Sequence, residues 1–260
     1  MTDLQAFVLG IIQGLTEFLP VSSSGHLVMA QALAGVRESG LLFEIGVHVA
    51  TLASVLIFYR RRVVFLAAGA LRGRRGELRY AGKLAVATLP AVAAVLAFGD
   101  LLEAQFDAPP VTGICLLLTG VILWTTRRTI VSARLPEPSW AAALWIGCAQ
   151  ALAILPGISR SGATVAAALA LGVAPAAAAE FSFLMSVVAI AGAALRAAPE
   201  LAAAAPEQTA ALAVGAAAAL VSGVAAIWLF VRLLRSGGFH RFAYYTWAVG
   251  TAFLIWLAVT

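Results

Sequence analysis

Residues 13–26 read Gln13-Gly14-Leu15-Thr16-Glu17-Phe18-Leu19-Pro20-Val21-Ser22-Ser23-Ser24-Gly25-His26. An apolar run over residues 4–19 leads into this stretch, breaks at Pro20, turns through serines and a glycine, and resumes as a second apolar run over residues 26–34. Neither run reaches the roughly 20 helical residues needed to cross a hydrocarbon core about 30 Å thick. A polar break at membrane depth survives only where protein or a water-filled cavity surrounds it. The two runs therefore predict a re-entrant helix pair whose break faces a cavity.

The composition around the break agrees with a membrane setting. The chain is 62% hydrophobic and 11% charged, with a mean hydropathy of +0.98; a soluble domain is about 45–50% apolar and about 25% charged. Apolar runs over residues 41–59, 84–98, 111–126, 180–195, 210–231 and 242–259 predict six transmembrane spans. A second interrupted pair covers residues 140–155 and 161–171, broken at Pro156-Gly157. The expected fold is thus an all-α, polytopic integral membrane helical bundle with two re-entrant pairs, forming one membrane domain over residues 1–260.

The net charge of +5 and pI of about 9.9 would suit nucleic acid. Here, however, the basic residues fall in short segments between apolar runs, so positive-inside topology accounts for them and no nucleic-acid partner is expected. Residues 60–83, with Arg60, Arg61, Arg62, Arg72, Arg74, Arg75, Arg79 and Lys83, read as a cytoplasmic loop. Arg127, Arg128, Arg134, Arg232, Arg235 and Arg241 mark the same side. Asp100, Glu103, Asp107, Glu200 and Glu207 mark the outside. The first re-entrant pair then begins on the outer side and the second on the cytoplasmic side. Met1-Thr2-Asp3 lacks a positive n-region, so no cleavable signal is expected. Cys115 and Cys148 lie in apolar runs without metal or disulfide spacing.

The two breaks resemble each other. Setting Gln13 on Gln150, 137 positions later, also matches Leu15 with Leu152, Ser22 with Ser159, Ser24 with Ser161 and Gly25 with Gly162. Each copy breaks at a proline and is followed by a span that opens near a Phe/Glu pair, Phe43-Glu44 and Glu180-Phe181. Three predicted spans separate the copies, so they enter from opposite sides. This is an inverted-topology repeat, with halves over about residues 1–130 and 136–260. Such repeats place their site where broken helices meet near the midplane.

The side chains at the breaks are those of a phosphate site. Gln13 and Glu17 share a helix face at i and i+4, and an intramembrane carboxylate signals function. Ser22, Ser23 and Ser24 precede a helix start, where N–H groups and the helix dipole attract anions. His26 follows Ser23 by three residues, and a Ser/His pair beside a carboxylate suits activation of a hydroxyl nucleophile. Arg160 is the basic residue within a break. Its planar fork matches phosphate oxygens, and Ser159, Ser161 and Thr164 surround it with hydroxyls. Glu44, His48 and Glu180 are read as support. Carboxylates beside a phosphate site also suggest a bridging divalent cation. Glu17, Ser23 and His26 should all lie near Arg160.

The stretch Gln13–His26 and the run Pro156-Gly157-Ile158-Ser159-Arg160-Ser161-Gly162-Ala163-Thr164 resemble the undecaprenyl-diphosphate phosphatase family, the bacitracin-resistance proteins of bacteria; Phe43-Glu44 and Glu180-Phe181-Ser182-Phe183 add to the match. The resemblance extends over nearly the whole chain. It implies a multi-pass enzyme of the bacterial plasma (inner) membrane with its site facing the periplasm or exterior. Such an enzyme hydrolyses undecaprenyl diphosphate to undecaprenyl phosphate and inorganic phosphate, recycling the carrier lipid of cell-wall synthesis. It also implies dependence on Mg²⁺ or Ca²⁺. The polyprenyl diphosphate, membrane lipids and, as a homodimer, a second copy of the chain are the expected partners. The family's first motif carries Glu or Gln and then Glu four residues on; Gln13 is the neutral variant, which leaves Glu17 the charged metal ligand.

In the expected mechanism Arg160, Ser22, Ser24, Ser159, Ser161 and Thr164 hold the phosphates, and Glu17 with Gln13 positions the cation. Ser23 attacks with His26 as base and then acid, or a metal-bound water attacks while Ser23 only binds phosphate. Ser24-Gly25-His26 also looks like the Ser-Gly-His element of the type 2 phosphatidic acid phosphatases, but the later His and Asp that family needs are missing after Ser159-Arg160. A transporter or flippase of polyprenyl phosphate is the competing expectation, because an inverted repeat with broken helices serves that role too.

Overall fold

The computed structural model describes residues 1–34, 41–196 and 206–259. Among them the chain is helical apart from turns and an isolated bridge between Leu135 and Val173. The helices are α1 (Asp3–Phe18), α2 (Ser23–Ala34), α3 (Leu41–Phe58), α4 (Arg60–Leu71), α5 (Arg75–Glu103), α6 (Pro109–Thr129), α7 (Trp140–Leu152), α8 (Arg160–Ala170), α9 (Pro175–Arg196) and α10 (Pro206–Arg235). A 3₁₀ turn at Phe239–Arg241 leads into α11 (Phe242–Val259).

Among the described residues, four stretches are long and apolar enough to cross a membrane: Arg75–Glu103, Pro109–Thr129, Ala210–Arg235 and Phe239–Val259. The apolar parts of α3 and α9, Ile45–Phe58 and Pro175–Val188, are shorter. The long helices turn apolar side chains outward: Leu96 is 82% exposed and Val221 69%. Surfaces of that kind belong in lipid, and the protein is a membrane helical bundle.

One expectation is corrected. The basic segment 60–83 is not a loop: it forms α4, a turn at Gly73 and the first turns of α5. Its Arg, Leu and Ala residues are strong helix formers, so a charged segment is helical on both sides of the Gly73 turn. Lys83 is buried because Glu137 receives its Nζ at 2.8 Å. Glu200 lies outside the described residues, as do the side chains of Glu44 and Glu207.

Local chemistry makes both breaks. Leu19 is extended, as the residue before a proline must be, and α1 stops at Phe18. Ser22 then caps α2, its Oγ accepting the Gly25 N–H at 3.2 Å. In the second break Ser159 caps α8 in the same way, accepting the Gly162 N–H at 3.1 Å. The side-chain pairs recur as well: Ser22 Oγ lies 3.3 Å from Ser24 Oγ, and Ser159 Oγ lies 3.3 Å from Ser161 Oγ. Ser23 and Arg160 occupy the same place, the first residue of the helix after the break.

Each of α1 and α7 packs on a long helix from the other half of the chain, α1 on α10 and α7 on α5. Both contacts need glycine. A Cβ on Gly14 would fall 2.5 Å from the Ala219 carbonyl oxygen, and one on Gly147 would fall 2.4 Å from that of Ala87. Small residues of this kind let membrane helices approach backbone to backbone. Beneath the breaks runs a chain of edge-on rings, Phe18–Phe183 at 5.6 Å, Phe183–Phe230 at 5.0 Å and Phe230–Phe239 at 5.1 Å. All four are fully buried. They fix the height of α1, and so of Glu17 in its last turn.

Candidate active site

The two breaks meet. A Cβ on Gly25 would lie 3.0 Å from the Gly157 Cα, and Gly157 itself adopts φ +95° with the Thr112 carbonyl oxygen 2.3 Å from where its own Cβ would be. Only glycine fits there, on steric and conformational grounds alike. Ser22 sits in the left-handed region at φ 68°, which for a residue with a side chain stores strain of about 1–3 kcal/mol. That strain aims the start of α2 at the second break.

Glu17 lies at the centre. Its Oε1 accepts Nη2 of Arg160 at 2.5 Å across 143 positions of sequence. Its Oε2 accepts Ser23 Oγ–H at 2.8 Å and Gln13 Nε2–H at 3.1 Å, with His48 Nε2 3.8 Å away. Arg160 keeps its second terminal nitrogen, Nη1, buried without a hydrogen-bond partner among the described residues. A buried unpaired guanidinium nitrogen is costly, and a phosphate oxygen is the ligand its geometry suits.

These groups line a cavity of about 190 Å³, walled by Glu17, Ser22, Ser23, Ser24, His48, Ser159 and Arg160. Thr16, Ile154 and Phe106 complete the wall. The starts of α2 and α8 are at its edge, and their first N–H groups have no partner within the helix. The cavity thus presents hydroxyls, one carboxylate, one guanidinium with a free nitrogen, and two positive helix ends.

Several expected residues lie elsewhere. His26 does not reach Ser23. Its Nδ1 is 2.8 Å from the Ser22 carbonyl oxygen and its Nε2 is 2.8 Å from the Tyr245 hydroxyl, over which the ring stacks. Both nitrogens are engaged, and the acceptor of the Ser23 hydroxyl is Glu17 and not His26. Thr164 and Ser161 are turned into the protein. Thr164 Oγ1 bonds the Arg160 carbonyl at 2.7 Å and lies 2.6 Å from Ser182 Oγ, while Ser161 Oγ bonds the Leu19 carbonyl at 3.4 Å. They hold the breaks in place and do not line the cavity around Glu17 and Arg160. Gln13 lies behind Glu17. Glu180 is far from the site and pairs with Arg62 Nε at 2.8 Å. Glu44 falls on an undescribed side chain.

The relation between the copies explains a buried oddity. Gln150 is 3% exposed, and its amide oxygen and nitrogen both lack partners among the described residues. Gln13 finds Glu17 four residues on; four residues beyond Gln150 stands Ile154. The sequence missed Tyr245 and Phe106, because nothing local marks a tyrosine or phenylalanine as neighbour to a break more than 80 positions away.

A divalent cation must meet this donor set to be credible. Among the described residues no three His, Cys, Asp or Glu side chains converge. One carboxylate, Glu17, stands with the Ser23 hydroxyl, and the Gln13 amide holds that carboxylate from behind. Hard cations take oxygen ligands, and Mg²⁺ is commonly held by one or two carboxylates plus substrate phosphates instead of an all-protein cage. The set fits a cation shared with a bound diphosphate.

The chain matches the family described as bacitracin resistance protein BacA over residues 6–252. It is 39% identical over 269 residues to an undecaprenyl-diphosphatase of Desulfatibacillum aliphaticivorans, covering 97% of this chain and 98% of that protein. It is 41% identical over 266 residues to an undecaprenyl-diphosphatase of Desulfosudis oleivorans, covering 96% and 97%. An undecaprenyl-diphosphatase of Carboxydothermus hydrogenoformans is 40% identical over 260 residues, covering 98% and 97%.

Proposed function

The chain belongs to the bacitracin resistance protein BacA family, and from that premise and the site's geometry we propose that it hydrolyses undecaprenyl diphosphate to undecaprenyl phosphate and inorganic phosphate. This reaction recycles the carrier lipid of peptidoglycan synthesis and underlies bacitracin resistance. The observation that carries it is the Arg160 guanidinium, buried with Nη1 unpartnered, beside a serine that already donates to a carboxylate.

The framework is an inverted repeat of residues 1–130 and 136–260 with six spans and two re-entrant pairs. The matched caps at Ser22 and Ser159 and the reciprocal packing of α1 on α10 and α7 on α5 support it. The cavity opens toward the periplasm from the inner membrane: Phe106, in the acidic connection between α5 and α6, lines it, and the arginine-rich ends lie away from it.

The terminal phosphate binds Arg160 Nη1 and the N–H groups opening α2 and α8. With Nη1 on the phosphate and Nη2 on Glu17 Oε1, the guanidinium holds both, and Glu17 Oε2 is left to accept a proton from Ser23. Ser23 Oγ attacks the terminal phosphorus, its proton passing to Glu17 Oε2. The bond to the bridging oxygen breaks, and undecaprenyl phosphate leaves with that electron pair. A water then attacks the phosphoserine phosphorus; the P–Oγ bond breaks with its electron pair on Ser23 Oγ, which takes back the proton held by Glu17 Oε2, and inorganic phosphate departs as the dihydrogen form with both protons of the water. A divalent cation would be held by Glu17 and Ser23 with the diphosphate, Gln13 orienting the Glu17 carboxylate from behind, and would neutralise charge that one arginine cannot.

Ser23 hydrogen-bonded to a carboxylate favours hydrolysis over carriage, since a carrier needs no nucleophile. Purified protein in detergent, given undecaprenyl diphosphate and Mg²⁺, is expected to release inorganic phosphate, and chelation is expected to lower the rate at least about a hundredfold, reversibly. Absence of phosphate release would contradict the hydrolase; release unchanged by chelation would contradict the cation.

A further inference from the structure

A second cavity lies at the arginine-rich end of the bundle, about 580 Å³ against about 190 Å³ for the catalytic pocket. Phe58 and Tyr59 at the end of α3, Glu180 on α9, and Trp228, Arg232 and Arg235 on α10 line it. Buried rings separate it from the catalytic pocket: Tyr59 lies 6.2 Å from Phe183, which lies 5.6 Å from Phe18, the neighbour of Glu17.

Its charge is unbalanced. Glu180 is already neutralised by Arg62 Nε at 2.8 Å and also accepts the Tyr80 hydroxyl at 3.3 Å. Arg232 and Arg235 join no ion pair among the described residues. They add two positive charges that nothing in the cavity offsets. Arg232 is held over the Trp228 ring at 5.2 Å, which restrains its guanidinium. Trp228 is itself 54% exposed, so the apolar wall continues outward to the lipid-facing surface.

A cationic end joined to an apolar wall is the shape of an amphiphile's binding site. We propose that this cavity binds the phosphate group of an anionic lipid, with Arg232 and Arg235 clamping the phosphate and Trp228 and Phe58 receiving the start of the chain. Planar guanidinium forks match phosphate oxygens, and Arg–Trp pairs at membrane boundaries meet anionic headgroups. Arginines that merely mark the cytoplasmic side would be solvated singly and would select no lipid.

Native mass spectrometry of the purified full-length protein tests this with phosphatidylglycerol, phosphatidylcholine and inorganic phosphate as probes. The wild type should retain one phosphatidylglycerol that Arg232→Gln/Arg235→Gln binds at least roughly tenfold more weakly, while phosphatidylcholine binds both proteins alike. Competition by inorganic phosphate alone would support the anion site with free phosphate as its source. Equal retention of phosphatidylglycerol by both proteins would overturn the proposal. Should the double variant not fold, Arg232→Gln and Arg235→Gln singly carry the same test. The variants should hydrolyse undecaprenyl diphosphate at the wild-type rate in detergent, so failure of the hydrolase reading and failure of this site are read from separate assays.

Discussion

Arg160→Ala is expected to lower phosphate release from undecaprenyl diphosphate by at least about a thousandfold, the scale of a transition-state arginine in phosphoryl transfer. Among the described residues no other guanidinium lines this cavity. Arg160→Lys keeps the charge but loses the fork, so it cannot hold Glu17 Oε1 through one nitrogen and phosphate through another; roughly tenfold to hundredfold loss is expected. Steady-state rates on purified variants check both. An Arg160→Ala protein within tenfold of wild type would mean that the free Nη1 is not what binds phosphate.

Glu17→Gln should be nearly as damaging, by roughly a hundredfold to ten-thousandfold, because the amide cannot take the Ser23 proton. It should also destabilise the fold by about 3–5 kcal/mol, since it strips a buried guanidinium of its anion. The pair Glu17→Gln/Arg160→Gln separates the two effects. With both charges gone, thermal stability in detergent should recover most of the loss, whereas hydrolysis should stay as low as in the worse single variant. Recovery of both would reduce the Glu17–Arg160 bridge to a structural ion pair.

Much of this site was legible in the sequence, for stated reasons. A proline, three serines and a glycine inside an apolar run mark a break that lipid does not tolerate, and a similar pattern about 137 positions on, with Arg160 in place of the middle serine, marks its partner. Arg160 stood out because burying a guanidinium needs an anion, and Glu17 was the nearest carboxylate in kind if not in sequence. The structure joins them at 2.5 Å. His26 was misplaced because helical spacing sets the face of a residue but not its rotamer; the Tyr245 hydroxyl, 219 positions away, captures the ring. Glu180, read as support for the site, pairs instead with Arg62, 118 positions distant. Segment 60–83 was read as a loop from its charge, although arginine is also a good helix former. Each miss is a long-range contact or a rotamer, neither of which one-dimensional spacing carries.

The fate of the terminal phosphate decides whether Ser23 is the nucleophile. Undecaprenyl diphosphate labelled at that phosphorus, mixed with the wild-type protein and quenched in acid within one turnover, should leave label on a peptide containing Ser23. Arg160→Ala should show none, and Ser23→Ala should neither carry label nor release phosphate above the uncatalysed rate. An unlabelled wild-type protein, together with a Ser23→Ala variant that releases phosphate at the normal rate, would contradict that role.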